Sequence, residues 1–281
     1  MDLLVTTEWL AQEMGAPDLR IVDATSFLPA DGRNPQAEYE AAHIPGAVFM
    51  DLSEIVDTSS PLPMMLPKAE KFASRMQSLG LGDGSRIVIY DNSPYKSAAR
   101  AWWMLSQVFG AHGVAILDGG FAKWQAEGRP TESGKPSIRH RHFTVWKNEK
   151  VVRDKAQILA NLESGAEQIV DARGAARFSG EEGDPRPNVA KGHIPGAMNL
   201  PYGQMFNPDG TWKQKDDLRR AFEAAGVDLS RPLVASCGSG LTAANLVFGA
   251  HLLGKADVAL YDGSWSDWGS DPDTPKAMGA G

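Results

Sequence analysis

Short apolar runs alternate along the chain with longer segments of helical periodicity. Ile87-Val88-Ile89-Tyr90, Val114-Ala115-Ile116-Leu117, Pro232-Leu233-Val234-Ala235-Ser236 and Val258-Ala259-Leu260-Tyr261 have the length of buried strands. Ser97 to Val108 and Thr242 to Leu253 carry helical patterns. Strands alternating with helices predict α/β domains built on parallel sheets.

The pattern occurs twice. Ile21-Val22-Asp23-Ala24 recurs as Ile169-Val170-Asp171-Ala172, and His43-Ile44-Pro45-Gly46-Ala47 recurs as His193-Ile194-Pro195-Gly196-Ala197. Asp118-Gly119-Gly120-Phe121 with Trp124 recurs as Asp262-Gly263-Ser264-Trp265 with Trp268. Three blocks in one order, displaced by 144 to 150 positions, predict two homologous domains. Each His-Ile-Pro-Gly-Ala block reads as a turn entering a strand. The expected boundaries are an N-terminal domain over 1–135, a linker over 136–150 and a C-terminal domain over 151–281. Gly128, Pro130, Gly134 and Pro136 punctuate the joint. Its basic cluster, Arg139-His140-Arg141-His142 with Lys147 and Lys150, reads as a solvated linker strand, with an anionic partner as the alternative.

Composition removes several function classes. The chain has 281 residues, 42% of them hydrophobic, enough for a real core. Lys and Arg number 28 against 35 Asp and Glu, a net charge of −7 that argues against a general nucleic-acid binder. No apolar stretch is long enough to span a bilayer, and the first residues lack the basic and apolar regions of a signal peptide. A single cysteine, Cys237, excludes intramolecular disulfides and multi-cysteine metal sites, and the cytoplasm is the expected compartment. The six histidines show no metal-ligand spacing, so no metal and no cofactor are expected.

Chemistry is expected where the two halves differ. Aligning the blocks sets Asp91 over Cys237. Cys237 lies just past a predicted strand and just before a predicted helix, and two glycines occupy the loop Gly238-Ser239-Gly240-Leu241-Thr242. Small residues let successive backbone N–H groups curl around one point, and a helix N-terminus adds partial positive charge there. Both favour a thiolate, as a nucleophile requires. On this geometry alone, a nucleophile and a buried structural cysteine both remain open.

These residues resemble a known family. The two His-Ile-Pro-Gly-Ala blocks, Asp262-Gly263-Ser264-Trp265 with Trp268, and the loop from Cys237 to Ala243 are similar to those of two-domain rhodanese-type sulfurtransferases, most closely the 3-mercaptopyruvate sulfurtransferases. The resemblance runs from Ile21 to Trp268 and implies tandem rhodanese-like α/β domains, each a mostly parallel sheet flanked by helices. It implies an inactive N-terminal domain, with Asp91 at the cysteine position, and a catalytic C-terminal domain that carries a persulfide on Cys237. Loops of the family usually have Val where Leu241 stands, an apolar exchange of small consequence.

Thiosulfate-using relatives place basic side chains after the cysteine, where cations attract a dianion. Here Gly238, Ser239 and Gly240 are neutral, which favours 3-mercaptopyruvate as the sulfur donor. In the resembling enzymes, arginines matching Arg177 and Arg186 hold the carboxylate and ketone, a task suited to a planar guanidinium. Arg173 is expected in a structural ion pair. His43 and His193 occur in both halves while only one half has a cysteine, so both read as turn histidines. His43 is also a candidate for contact with Ser239 across the cleft, in an Asp–His–Ser relay whose aspartate the sequence does not single out. Trp102, Trp103 and Trp124 are expected to pack a core or an interface.

The implied acceptor is external, either cyanide or a thiol such as thioredoxin, because no second cysteine exists to resolve the persulfide. A monomer with no nucleic-acid or membrane partner is expected. Three alternatives remain: a thiosulfate:cyanide sulfurtransferase, a cysteine phosphatase, and a non-catalytic sulfur carrier or redox-sensing module. The phosphatase would need an arginine six positions after the cysteine, where Ala243 stands.

Overall fold

The computed structural model describes residues 1–280 and divides into two compact units. Among the described residues the first comprises 1–57, 66–148 and 208–212, and the second comprises 58–65, 149–207 and 213–280.

The first unit is a five-stranded parallel sheet. Its strands are β1 (Leu4–Val5), β2 (Leu19–Asp23), β3 (Ala47–Phe49), β4 (Arg86–Tyr90) and β5 (Val114–Leu117), in the order β1-β5-β4-β2-β3. Helices α1 (Thr7–Glu13), α2 (Pro35–Ala41), α3 (Ala69–Ser78), α4 (Ala98–Trp102) and α5 (Gly120–Ala126) connect and flank these strands. In β4, four consecutive residues from Ile87 are buried, as expected for a central strand covered on both faces. In α3, Phe72 and Met76 lie one turn apart and enter the core.

The second unit repeats this plan with β6 (Val152–Arg153), β7 (Gln168–Asp171), β8 (Met198–Asn199), β9 (Leu233–Ser236) and β10 (Val258–Tyr261). The order β6-β10-β9-β7-β8 matches the first sheet strand for strand. Its helices are α6 (Lys155–Ser164), α7 (Ala175–Ser179), α8 (Lys215–Ala224), α9 (Ala243–Leu252) and α10 (Ser264–Trp268). Asp154 and Gln157 cap α6 reciprocally, side chain to backbone, and Gly165 ends it with φ 59°. Every residue of α9 from Ala243 to Ala250 is buried, and all of them but Asn245 are apolar.

The repeated blocks do repeated work. Each His-Ile-Pro-Gly-Ala turn forms an antiparallel bridge, His43 to Glu132 and His193 to Ala277. Trp124 Nε1 donates to Pro130 O and Trp268 Nε1 to Pro275 O, each at 2.7 Å. Trp102, Trp103 and Trp124 are all fully buried.

Two expectations are refined. The single helix expected over Ser97–Val108 is α-helical only to Trp102 and continues as a π-helix from Trp103 to Val108. The wider turn starts where two consecutive indoles are both fully buried. The basic linker forms no strand and is not simply solvated. Phe143 packs edge-on to Phe72, Thr144 bonds Asp83 twice, and Trp146 and Asn148 donate to Phe109 O and Val108 O. The linker is thus tied along the first unit up to Asn148.

Candidate active site

Cys237 follows β9, the middle strand of its sheet, at the carboxyl end where open α/β sheets bind ligands. It is 1% exposed. Its backbone is held on both sides. The Cys237 amide donates to Ser264 Oγ at 3.1 Å, and Ser264 Oγ donates on to Tyr261 O at 2.8 Å. The Cys237 carbonyl accepts from Trp265 N at 3.0 Å. Gly238 O accepts from Ser266 N at 2.8 Å and from Ser266 Oγ at 2.6 Å.

The rest of the loop turns into α9. Gly240 takes φ 80°, a left-handed conformation that glycine adopts without steric cost. Gly238, Ser239 and Thr242 are half-buried, while Gly240 and Leu241 are buried. The N-terminus of the ten-residue α9 follows directly, so the positive end of its dipole lies at the loop.

Two arginines reach this loop from the same unit. Arg177 lies on α7, and Arg186 lies on the segment after it. A Cβ placed on Gly238 would lie 3.6 Å from Nη2 of each guanidinium, so both converge on the residue after Cys237. Asp184 joins them. Arg186 grips it with Nε and Nη2 at 2.7 Å each, and Arg177 Nη2 lies 2.5 Å from its Oδ2. Arg186 N donates to Asp184 Oδ1 at 3.0 Å, which fixes the turn between them. Arg186 Nη1 also donates to Gly238 O at 3.1 Å. Burial pushes the Asp184 carboxyl up, but the Arg186 hydrogen bonds and the charges of Arg186 and Arg177 outweigh it and hold it at about 2. Asp184 is therefore ionised at neutral pH, and the triad carries one net positive charge.

The same loop in the first unit is filled by its own side chain. Asp91 follows β4 as Cys237 follows β9, and its carboxylate accepts from Ser93 N at 2.9 Å and Ala98 N at 2.8 Å. Its carbonyl accepts from Phe121 N at 3.0 Å, as that of Cys237 does from Trp265.

A model of the rhodanese-like domain matches residues 6–127 and again 154–271. The chain belongs to the rhodanese-like domain family. The chain is 42% identical over 271 residues to 3-mercaptopyruvate sulfurtransferase of Mus musculus, covering 94% of this chain and 91% of that protein. It is 39% identical over 287 residues to thiosulfate sulfurtransferase of Cricetulus griseus, covering 98% and 95%. The crystal structure of SseA from Escherichia coli, described as a 3-mercaptopyruvate sulfotransferase of rhodanese fold, superposes with a TM-score of 0.86. That match has 39% identity and covers 94% of this chain and 99% of the other. Relatives named for either donor are thus nearly equally similar, and overall identity does not choose between donors.

The other singled-out residues of this rhodanese-like chain fall elsewhere. His43 is buried in the first unit, stacked on Tyr39 with ring centroids 4.1 Å apart. Its Nδ1 lies 2.7 Å from Tyr39 O and its Nε2 3.4 Å from Glu132 Oε1, so both ring nitrogens face groups of its own unit. His193 stacks on Phe178 at 3.8 Å, with Nδ1 2.9 Å from Phe178 O. Arg173 is buried in an ion pair, Nη2 to Asp171 Oδ2 at 2.7 Å. Among the described residues no group of three or more His, Cys, Asp or Glu could hold a metal, and no helix is long and apolar enough to cross a membrane.

Sequence reasoning passed over Asp184, Ser264 and Ser266. Asp184 was signalled by its place two residues before Arg186, the spacing of a carboxylate that turns the chain onto its own arginine. Ser264 was signalled by the repeat, because it stands where the first copy of the block has Gly120.

Proposed function

We propose that this chain is a 3-mercaptopyruvate sulfurtransferase working through a Cys237 persulfide. The observation that carries the reading is the Arg177–Asp184–Arg186 cluster beside a neutral cysteine loop. Its single net positive charge matches the one carboxylate of mercaptopyruvate. A thiosulfate dianion would leave one charge uncompensated in a partly buried site, which is costly.

In this mechanism the Cys237 thiolate attacks the donor's thiol sulfur. The C–S bond breaks and its electron pair forms pyruvate enolate. The new persulfide loses its S–H proton and the enolate gains one, so the proton count is unchanged. Arg177 and Arg186 hold the carboxylate and stabilise the enolate oxygen as charge develops. The amides of Gly238, Ser239, Gly240 and Leu241, with the Ser239 and Thr242 hydroxyls, hold the persulfide anion. Cyanide or a thiolate such as that of thioredoxin then attacks the outer sulfur. Thiocyanate or a new persulfide leaves, and the Cys237 thiolate returns, which makes the scheme ping-pong.

The N-terminal domain is non-catalytic in this reading, because the Asp91 carboxylate fills its own amide cradle. The chain acts as a monomer, since nucleophile and arginines belong to one unit of one chain. A reducing compartment such as the cytoplasm suits a free thiolate. His43 receives no chemical role.

The test is intact-protein mass after mercaptopyruvate alone, together with pyruvate release when dithiothreitol is the acceptor. A gain of one sulfur that Cys237→Ser abolishes, with mercaptopyruvate the better donor, is expected. Pyruvate release by Cys237→Ser at the wild-type rate would overturn the mechanism.

A further inference from the structure

The basic linker takes part in a cleft that the sulfur-transfer reading leaves unused. The cleft lies wholly in the first unit, with a cavity volume of about 440 Å³. Arg20 on β2, Arg139 and Arg141 line it, and no acidic side chain does. That is a local inversion of sign in a chain whose net charge is −7. Arg139 and Arg141 are exposed and have no carboxylate partner among the described residues. Arg20 is half-buried, with its guanidinium bonded to Leu19 O and Pro17 O. Burial and then the charge of Arg141, which lines the same cleft, lower its proton affinity. The nearby Asp18 pulls the other way, but Arg86 occupies both its oxygens, at 2.7 and 3.0 Å. Leu19, Ile21, Val48 and Ile138 supply an apolar wall.

We propose that this cleft binds a small organic anion bearing a phosphate or carboxylate on an apolar body. Like charges held together cost free energy that an anion recovers, and arginine forks fit phosphate and carboxylate bidentately. A cleft of this volume lies within the range of small-molecule sites. Phenyl phosphate is the probe, followed by calorimetry on the full chain. Binding at about 1 mM or tighter is expected, weakening at least about tenfold in Arg139→Ala/Arg141→Ala. Inorganic phosphate, which lacks the apolar body, should bind more weakly. Arg177→Ala should leave phenyl phosphate binding unchanged. An unchanged thermal midpoint of the double variant shows that it folds. No binding at millimolar probe, or binding lost in Arg177→Ala and kept in the double variant, would overturn the proposal.

A separate observation concerns Ser264. It takes φ 50°, a left-handed backbone that L side chains rarely adopt. Its counterpart in the other half is Gly120, with φ 58° in the same block. The fold thus needs this backbone in both halves, and only the half with a cysteine keeps a side chain there. That side chain is fully buried and accepts the Cys237 amide.

We infer that Ser264 is a positioning residue for the nucleophile, a deduction that rests on the Cys237 reading. Ser264→Gly relieves the backbone strain and removes the anchor. The variant should unfold no more readily than wild type, yet its kcat for pyruvate release should fall about tenfold with KM nearly unchanged. Its mass should still rise by one sulfur on longer exposure to the donor. Wild-type kcat in Ser264→Gly would overturn the inference. A wild-type protein that never gains sulfur would instead overturn the Cys237 reading.

Discussion

Asp23 and Asp171 occupy the same place at the end of a central strand, but only Asp171 has a cation. Arg173 stands two residues after Asp171 and pairs with it, and Thr25 stands two residues after Asp23. Burial accordingly raises the Asp23 carboxyl to about 6, against weaker opposing hydrogen bonds from Thr25 and Tyr90.

The raised value makes stability pH-dependent. Below about pH 6 Asp23 is neutral in the fold, so its contribution is complete below the unfolded value of 3.8 and is lost as pH rises through about 6. The full swing is about 3 kcal/mol. Asp23→Asn should remove it, raising the thermal midpoint at pH 8 while leaving it nearly unchanged at pH 4. Thermal melts of both proteins across that range check this.

Arg173→Ala removes the cation and leaves Asp171 buried and unpaired. The expected loss is about 3–5 kcal/mol, read from denaturant midpoints. The Arg173 bond to Gly192 O is lost in the same step.

Arg177→Ala should lower kcat/KM for mercaptopyruvate by about tenfold to a hundredfold, the worth of a charged hydrogen bond of ~1.5–3 kcal/mol. Arg186→Ala should cost at least as much, because its guanidinium also holds Asp184 and Gly238 O. Steady-state kinetics decide both, and an unchanged kcat/KM removes the assigned role.

Asp184→Asn tests the charge argument directly. It raises the net charge of the cluster from one to two while keeping the side-chain shape. The ratio of kcat/KM for thiosulfate to that for mercaptopyruvate should rise by about tenfold. A constant ratio would show that donor choice lies outside this cluster.

Much of this was legible in the chain. The repeat, the parallel α/β class and the four strands flanking the two loops follow from apolar runs and duplicated blocks, because local patterning dictates what must be buried. Cys237 stood out as the only cysteine, set between a strand and a helix. The helix expected from Ser97 missed its π-helical half, because apolar spacing does not encode the width of a turn. The linker's attachment through Phe143, Thr144 and Asn148 was equally hidden, because its partners lie far away in sequence.

The sequence by itself determined two α/β repeats, one thiol and a neutral loop after it, since these depend on residue type and order. Tertiary structure decided that Asp184 gathers Arg177 and Arg186 beside Gly238, that Ser264 holds the Cys237 amide, and that Arg20 lines one cleft with the linker arginines. Each of these is an electrostatic or hydrogen-bond relation set by distance in space. Such distances arise only when strands and loops remote in the chain are packed side by side.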